Sequence, residues 1–405
     1  MPNQAKKEER TVVEHFYRVI RPLTKLSKQK IITFGTISPI PRFDESDVKD
    51  LCEEAKKIVK SQGPLLRLKP PCYVIGDVHG DIHDLLRILS EIGDLTKAKI
   101  IFLGDYIDRG GFSIEIVITL FTLICKFPDN IILLRGNHEF PNVYNCVSLQ
   151  EEVNQLYQNN SLFGIIHSVF SWLPLAALVS DTYLCLHGGI GPDFTKISDI
   201  ENIQYPILDY DDNKIVTDIL WSDPCKTTKN YIESSRGRGS FFGVTAITNF
   251  LKENNLKMVI RGHQCVAKGV EKFDEMVYTV FSTSFYNDEE NFGAFIEIDE
   301  SLKIQDHILQ PMKPIRRAIA SYAQVPSRKG NARKCLICPK SLNAAPSSLS
   351  SFLLSSPTSL SIGNASLTGN HCNINKRMSL ILVPQIVKPK IPDLDTEVIP
   401  TVSAQ

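Results

Sequence analysis

The sequence predicts an α/β fold in which short buried strands alternate with amphipathic helices and end in polar turns along one edge. Three observations predict it. Hydrophobic residues make up 43% and charged residues 22% of the 405, enough to bury a core. Short apolar runs alternate with stretches whose apolar residues recur at helical spacing. Five of those runs lead directly into clusters of Gly, Asp, Asn and His.

Val48, Leu51, Cys52, Ala55, Ile58 and Val59 recur at helical spacing and stop at Gly63-Pro64, which predicts a helix. Cys72–Ile75 reads as a buried strand, and Ile82, Leu85, Leu86 and Leu89 mark the helix after it. Residues 100–103 read as a second strand, 114–124 as a helix and 131–134 as a third strand. This β-α-β-α-β order implies parallel strands whose carboxyl ends share an edge, where ligands collect in such sheets. Tyr183–Leu186 and residues 258–260 have the same apolar character.

Composition changes near residue 313. Residues 313–340 hold eight basic residues and no acidic one, and 341–368 are Ser-rich without a helical or strand period. Both stretches read as a disordered tail, the basic one as a solvated linker or alternatively a docking strip or nuclear-import signal. The domains expected are an N-terminal, partly helical segment (1–42), a catalytic domain (43–314) and the tail (315–405). Net charge is zero, but the residues before 313 carry nine net negative charges, the opposite of a nucleic-acid-binding body. No run is long enough to span a membrane, and the first residues lack the apolar core of a signal peptide. Ten cysteines without regular spacing suit reduced thiols in a cytoplasmic or nuclear compartment. A lone Cys335-Leu-Ile-Cys338 pair is weak evidence for zinc.

The five strand ends carry the chemistry. They read Gly76-Asp77-Val78-His79-Gly80, Gly104-Asp105-Tyr106-Ile107-Asp108-Arg109-Gly110, Arg135-Gly136-Asn137-His138-Glu139, His187-Gly188-Gly189 and Arg261-Gly262-His263. Any one of them alone reads as an ordinary Gly- and Asp-rich turn. Five in series, each behind an apolar strand, point to a metal site, because Asp, Asn and His supply ligands that suit iron, zinc or manganese.

This series resembles the metallophosphoesterases, and more narrowly the phosphoprotein phosphatases that include types 1 and 2A and calcineurin. Leu220-Trp221-Ser222-Asp223-Pro224, Ser235-Arg236-Gly237 running to Phe242-Gly243, Arg261-Gly262-His263-Gln264, and Phe281-Ser282 through Tyr286 carry the narrower resemblance. It extends over roughly 43–314 and looks closest to type 1 serine/threonine phosphatase catalytic subunits. The resemblance implies a central β-sandwich flanked by helices and two divalent or transition metal ions, manganese or iron and zinc, bridged by Asp105. Asp77 and His79 would complete one metal site; Asn137, His187 and His263 would complete the other. Arg109 and Arg236 would grip phosphoryl oxygens, and Tyr286 would line the substrate edge. A metal-bridging hydroxide would attack phosphoserine or phosphothreonine in line, with His138 protonating the leaving alkoxide and Asp108 orienting its imidazole. Phosphoprotein substrates and regulatory or targeting subunits are the partners implied.

The chain departs from the family's pattern at Asp81, at Phe140-Pro141-Asn142-Val143-Tyr144-Asn145-Cys146 and at the 281–287 tip, none of them an inferred metal ligand. Two other functions fit part of the pattern. A dinucleoside-polyphosphate hydrolase shares the first four motifs, against which stand the Leu-Trp-Ser-Asp-Pro block and the Arg236 segment. An inactive scaffold would lack a ligand, and every ligand position is filled.

Overall fold

The computed structural model describes residues 11–141, 143, 148–157 and 161–329. The Cys335/Cys338 pair and the Ser-rich stretch expected to be disordered lie outside the described residues. In chain order the helices are α1 Val12–Leu23, α2 Lys28–Ile32, α3 Glu45–Gln62, α4 Ile82–Ile92, α5 Ser113–Lys126, α6 Ser148–Tyr157, α7 Ser161–Phe170, α8 Ile197–Glu201, α9 Lys214–Trp221 and α10 Val244–Glu253. The strands are β1 Ile40–Arg42, β2 Leu65–Leu68, β3 Cys72–Ile75, β4 Ile100–Phe102, β5 Ile131–Leu133, β6 Ala176–Val179, β7 Tyr183–Leu186, β8 Asp223–Pro224, β9 Tyr231–Glu233, β10 Ser240–Phe242, β11 Met258–Arg261, β12 Val270–Phe273, β13 Val277–Val280, β14 Gly293–Ile298, β15 Ile304–Leu309 and β16 Tyr322–Gln324.

Two sheets pack face to face. The first has the order β15-β14-β3-β4-β5, the second β12-β13-β11-β7-β6-β2. In the first, β3, β4 and β5 are parallel, with Val74 opposite Ile101 and Ile101 opposite Ile132; β14 and β15 run antiparallel. Strands buried on both faces need apolar side chains at every position, which is why these three read as continuous apolar runs. The period of two then sorts them. Val74, Ile101 and Ile132 meet Ala177, Cys185 and Ile260 of the second sheet. Ile75, Phe102 and Leu133 turn outward under α1 and α3 through α7.

Alternation alone implied a parallel sheet, which holds for β3–β5; the sandwich implied by the family resemblance is what forms around it. The chain enters the second sheet through the antiparallel β6-β7 pair. Ser180 and Asp181 join that pair at φ 51° and 48°, the twist a tight hairpin needs. Leu184, Leu186 and Val259 on its outer face pack with Ile219 and Leu220 of α9 and Ile247 and Phe250 of α10.

Both flanks of 43–314 join the same core. Phe16 of α1 stacks on Phe43 with ring centroids 4.2 Å apart, and β1 pairs in parallel with β16. Arg317, ahead of β16, bonds Glu115 Oε2 at 2.9 Å, Glu152 Oε2 at 3.2 Å and the Gly111 carbonyl at 2.7 Å. Arg328 bonds Asp50 at 2.6 Å. Arg317→Ala leaves two buried carboxylates facing each other without their cation, a loss of about 3 kcal/mol. Thermal unfolding of the full chain checks this, and an unchanged Tm would contradict it.

Candidate active site

The sandwich brings the five strand ends to one place. His187 Nδ1 lies 3.0 Å from the Leu103 carbonyl, tying the end of β7 to the end of β4 in the other sheet. Both carboxylate oxygens of Asp77, after β3, accept from the His263 amide beyond β11, at 3.0 and 3.1 Å. The Gly262 amide donates to the His187 carbonyl at 2.9 Å. Gly104 permits a close approach: its φ is 104°, and a Cβ there would lie 2.3 Å from the Gly136 nitrogen. Gly104→Ala therefore combines a left-handed backbone with overpacking and destabilises the fold by about 3 kcal/mol. Urea denaturation reads this as a lowered midpoint; an unmoved midpoint would contradict the close approach of the two loops.

Five of the expected site residues, His79, Asp105, Asp108, Arg109 and His263, have φ between 38° and 69°. Such conformations persist only where surrounding structure over-determines them, as at functional sites. They turn side chains off the strand ends toward a common point.

Asp105 is that point. His79, Asp105 and His138 form one group of convergent ligand atoms, and Asp105, His187 and His263 form a second, each within 4.8 Å. All are buried. His79 Nδ1 lies 3.1 Å from the Ile107 carbonyl. A carbonyl only accepts, so each of these Nδ1 atoms carries the proton and each Nε2 presents its lone pair inward. His79 Nε2 is 3.6 Å from Asp105 Oδ2 and 3.7 Å from Asp77 Oδ2. His187 Nε2 is 2.8 Å from Asn137 Oδ1, 3.1 Å from His263 Nδ1 and 3.4 Å from Asp105 Oδ2. Acceptor atoms crowded this closely are stable around a cation, and a mixed Asp, Asn and imidazole set suits a transition metal. Asp77, His79, Asp105, Asn137, His187 and His263 thus fit a pair of metal ions sharing Asp105.

Two of the three ligand imidazoles sit in the charge state that binds metal; burial would lower His187 too, but the Asp105 carboxylate holds it above its usual range. Burial pushes the pKa of His79 down to about 4, helped by His138. Burial and the Arg236 cation push His263 well below the usual imidazole range, so both are neutral, the form that binds metal. Burial would raise Asp105, but the His187 and His138 rings outweigh it and hold the carboxyl well below its usual range. Asp77 is pushed up to about 6 by burial, against the pull of His187.

His138, also within the first group, has a second partner: its Nδ1 lies 3.0 Å from Asp108 Oδ2. Its amide donates to Asp105 Oδ1 at 2.9 Å. Asp108 is held in turn, its amide donating to Ser113 Oγ at 3.1 Å. Tyr286 stacks on His79 with centroids 5.2 Å apart. Burial pushes its phenol up to about 12. Arg236 donates from Nε to Asp223 Oδ2 at 2.6 Å and from Nη2 to the His263 carbonyl at 3.4 Å. Arg109 lines an open groove together with His79 and Tyr286.

Two residues to which the sequence reading assigns no role hold this site. Glu139 accepts from the amides of Asp105, Tyr106 and Gly136, each at 2.8 Å, and burial, then the Asp105 charge, raises its pKa to about 7. Asp223 takes Arg236 on one oxygen and the buried Arg261 on the other, the latter at 2.8 Å. Their motif positions were visible, but not the backbone groups and side chains that they meet.

Residues 70–267 match the family of calcineurin-like phosphoesterases. A protein serine/threonine phosphatase from Saccharomyces cerevisiae, described as similar to human phosphatase PP5, is 26% identical with a TM-score of 0.62, over 67% of this chain and 91% of that one. A cold-active protein-tyrosine phosphatase of a psychrophilic Shewanella species is 16% identical with a TM-score of 0.47, over 63% and 84%. A metallophosphoesterase from Sphaerobacter thermophilus is 15% identical with a TM-score of 0.34, over 60% and 90%. Family match and convergent ligand geometry agree: this chain carries a calcineurin-like metallophosphoesterase domain.

Proposed function

We propose that the chain is a metal-dependent serine/threonine protein phosphatase. The observation that carries the reading is the Arg236–Asp223 pair at the rim of the His187/His263 group, 3.4 Å from the His263 carbonyl. It comes from the two sequence blocks that separate protein phosphatases from the dinucleoside-polyphosphate hydrolases in the family resemblance. The likeness to the yeast serine/threonine phosphatase over 91% of that chain supports it.

In this reading Asp77, His79 and Asp105 would hold one metal, and Asp105, Asn137, His187 and His263 the other; manganese, or iron and zinc, would suit the set. A metal pair held there would supply an activated water at neutral pH and electrostatic stabilisation of the displacement at phosphorus. Arg109 and Arg236 bind the phosphoryl oxygens through their guanidinium forks. Asp223 restrains the Arg236 fork, so little rotamer freedom is lost on binding. Asp108 fixes His138 with Nδ1–H toward the carboxylate, leaving Nε2 to carry a proton to the departing serine or threonine oxygen. Tyr286 walls the substrate edge.

Phosphoproteins are then the substrates, with regulatory or targeting subunits as partners. Among the described residues no helix is long and apolar enough to cross a membrane. Free thiols at Cys52, Cys72, Cys125, Cys185, Cys225 and Cys265 support a cytoplasmic or nuclear setting.

Steady-state phosphate release with added manganese tests the substrate class. A phosphoserine peptide is hydrolysed and diadenosine tetraphosphate is not. Dinucleotide cleavage without peptide turnover would assign the related hydrolase instead. Metal binding with neither activity would assign an inactive scaffold.

A further inference from the structure

A groove of about 530 Å³ leads away from the candidate active site. His79, Arg109 and Tyr286 line its inner end, Lys313 and Arg316 its outer wall. The outer wall is the segment joining β15 to β16, and it is anchored from both sides. Met312 donates its amide to Ser284 Oγ at 3.2 Å. Arg317 reaches across to the Gly111 carbonyl, two residues past Arg109, and to Glu115 and Glu152. Lys313 and Arg316 are therefore carried on a fixed segment beside the Arg109 turn.

The charges in the groove are unequal. Arg109, Lys313 and Arg316 are all exposed, and among the described residues none has a carboxylate within ion-pair distance, whereas Arg317 is consumed by its glutamates. Two carboxylates line the same groove. Asp81 is buried and turned into the protein, one oxygen accepting from the His83 and Asp84 amides at 2.9 and 3.0 Å. Asp288 is exposed. Three exposed cations face one exposed carboxylate, on a domain whose charge before residue 313 is net negative. A positive groove on a negative body concentrates anionic side chains where like charges elsewhere repel them.

We propose that this groove is a specificity site for acidic residues flanking the phosphorylated one, read by Lys313 and Arg316 and continuous with the phosphate-binding Arg109. The inference rests on the protein-phosphatase reading for its substrate, and the segment recognised is a peptide carrying carboxylates near its phosphoserine. Phe285, over which Lys313 Nζ sits at 5.8 Å from the ring centroid, offers an apolar surface to the peptide between the two charged ends.

The test uses the full chain with manganese and three phosphoserine peptides that differ only in flanking neutral, glutamate or lysine residues. Each kcat/KM is normalised to the same preparation's turnover of p-nitrophenyl phosphate, which has no flank. Wild type prefers the glutamate peptide over the neutral one by about fivefold, mostly through KM, and the preference shrinks with added salt. K313E/R316E reverses the order in favour of the lysine peptide. Equal values for the three peptides, or a preference that survives the charge reversal, would overturn the proposal. An acidic peptide with unphosphorylated serine, added as an inhibitor of p-nitrophenyl phosphate turnover, separates the two readings. Inhibition in wild type but not in K313E/R316E supports the groove even if no peptide is dephosphorylated. No inhibition in wild type, with phosphopeptides turned over equally, sinks the groove and leaves the phosphatase standing.

Discussion

His138→Ala lowers kcat for a phosphoserine peptide about a thousandfold and leaves KM within a few-fold. The serine alkoxide is a poor leaving group and needs a proton as the bond to phosphorus breaks, so the lost group acts chiefly in the transition state. The geometry prescribes the pattern. His138 Nδ1 is held by Asp108 at 3.0 Å, which turns Nε2 toward Asp105, 4.0 Å away, as the nitrogen that donates. Asp108→Asn weakens that hold and the stabilisation of the imidazolium, a loss of about 30-fold. p-Nitrophenyl phosphate leaves as a stable phenolate and needs far less protonation. Its turnover falls by about tenfold or less in His138→Ala. Equal losses on both substrates would mean that His138 acts as a metal ligand rather than as the acid. Its place in the group with His79 and Asp105 makes that a real alternative.

Asp105→Asn abolishes turnover of both substrates, by about 10³-fold or more. Asp105 is the residue common to both groups of convergent ligand atoms, and its carboxyl is held anionic by His187 and His138 against the cost of burial. An amide in its place removes the negative charge between two cation sites and one of the two acceptor oxygens. Raising manganese recovers little, because the carboxylate common to both ligand groups is missing. The fold survives, since Asp105 and Tyr106 remain tied through their amides to Glu139; circular dichroism of the variant matches wild type. Activity restored to wild-type level by metal alone would show that Asp105 is not shared.

The five strands that carry the site were legible in the sequence because both their faces are buried. Val74, Ile101 and Ile132 look inward, Ile75, Phe102 and Leu133 outward, so each reads as an unbroken apolar run. The helices α3, α4 and α5 were legible from their spacing, within a few residues at each end. The partition of the strands into two sheets was not legible from local pattern, because β7 and β11 are as apolar as β3 and β4. It came only from the family resemblance.

Glu139 and Asp223 were likewise silent. Their partners are amides and guanidinium groups brought together by the fold, at separations in the chain that no local pattern reports. Residues 315–329, expected to belong to the tail, misled for the same reason. A row of basic residues reads as a solvated linker until Glu115, Glu152 and Asp50 are seen against it.

Metal content per chain, measured by elemental analysis after dialysis against manganese and gel filtration, tests whether Asp105 serves two ions. Wild type binds two ions and His138→Ala binds two, with at most one retained by Asp105→Asn. One ion in wild type, or a His138→Ala chain that loses an ion, would contradict a two-metal centre bridged by Asp105 with His138 as its proton donor.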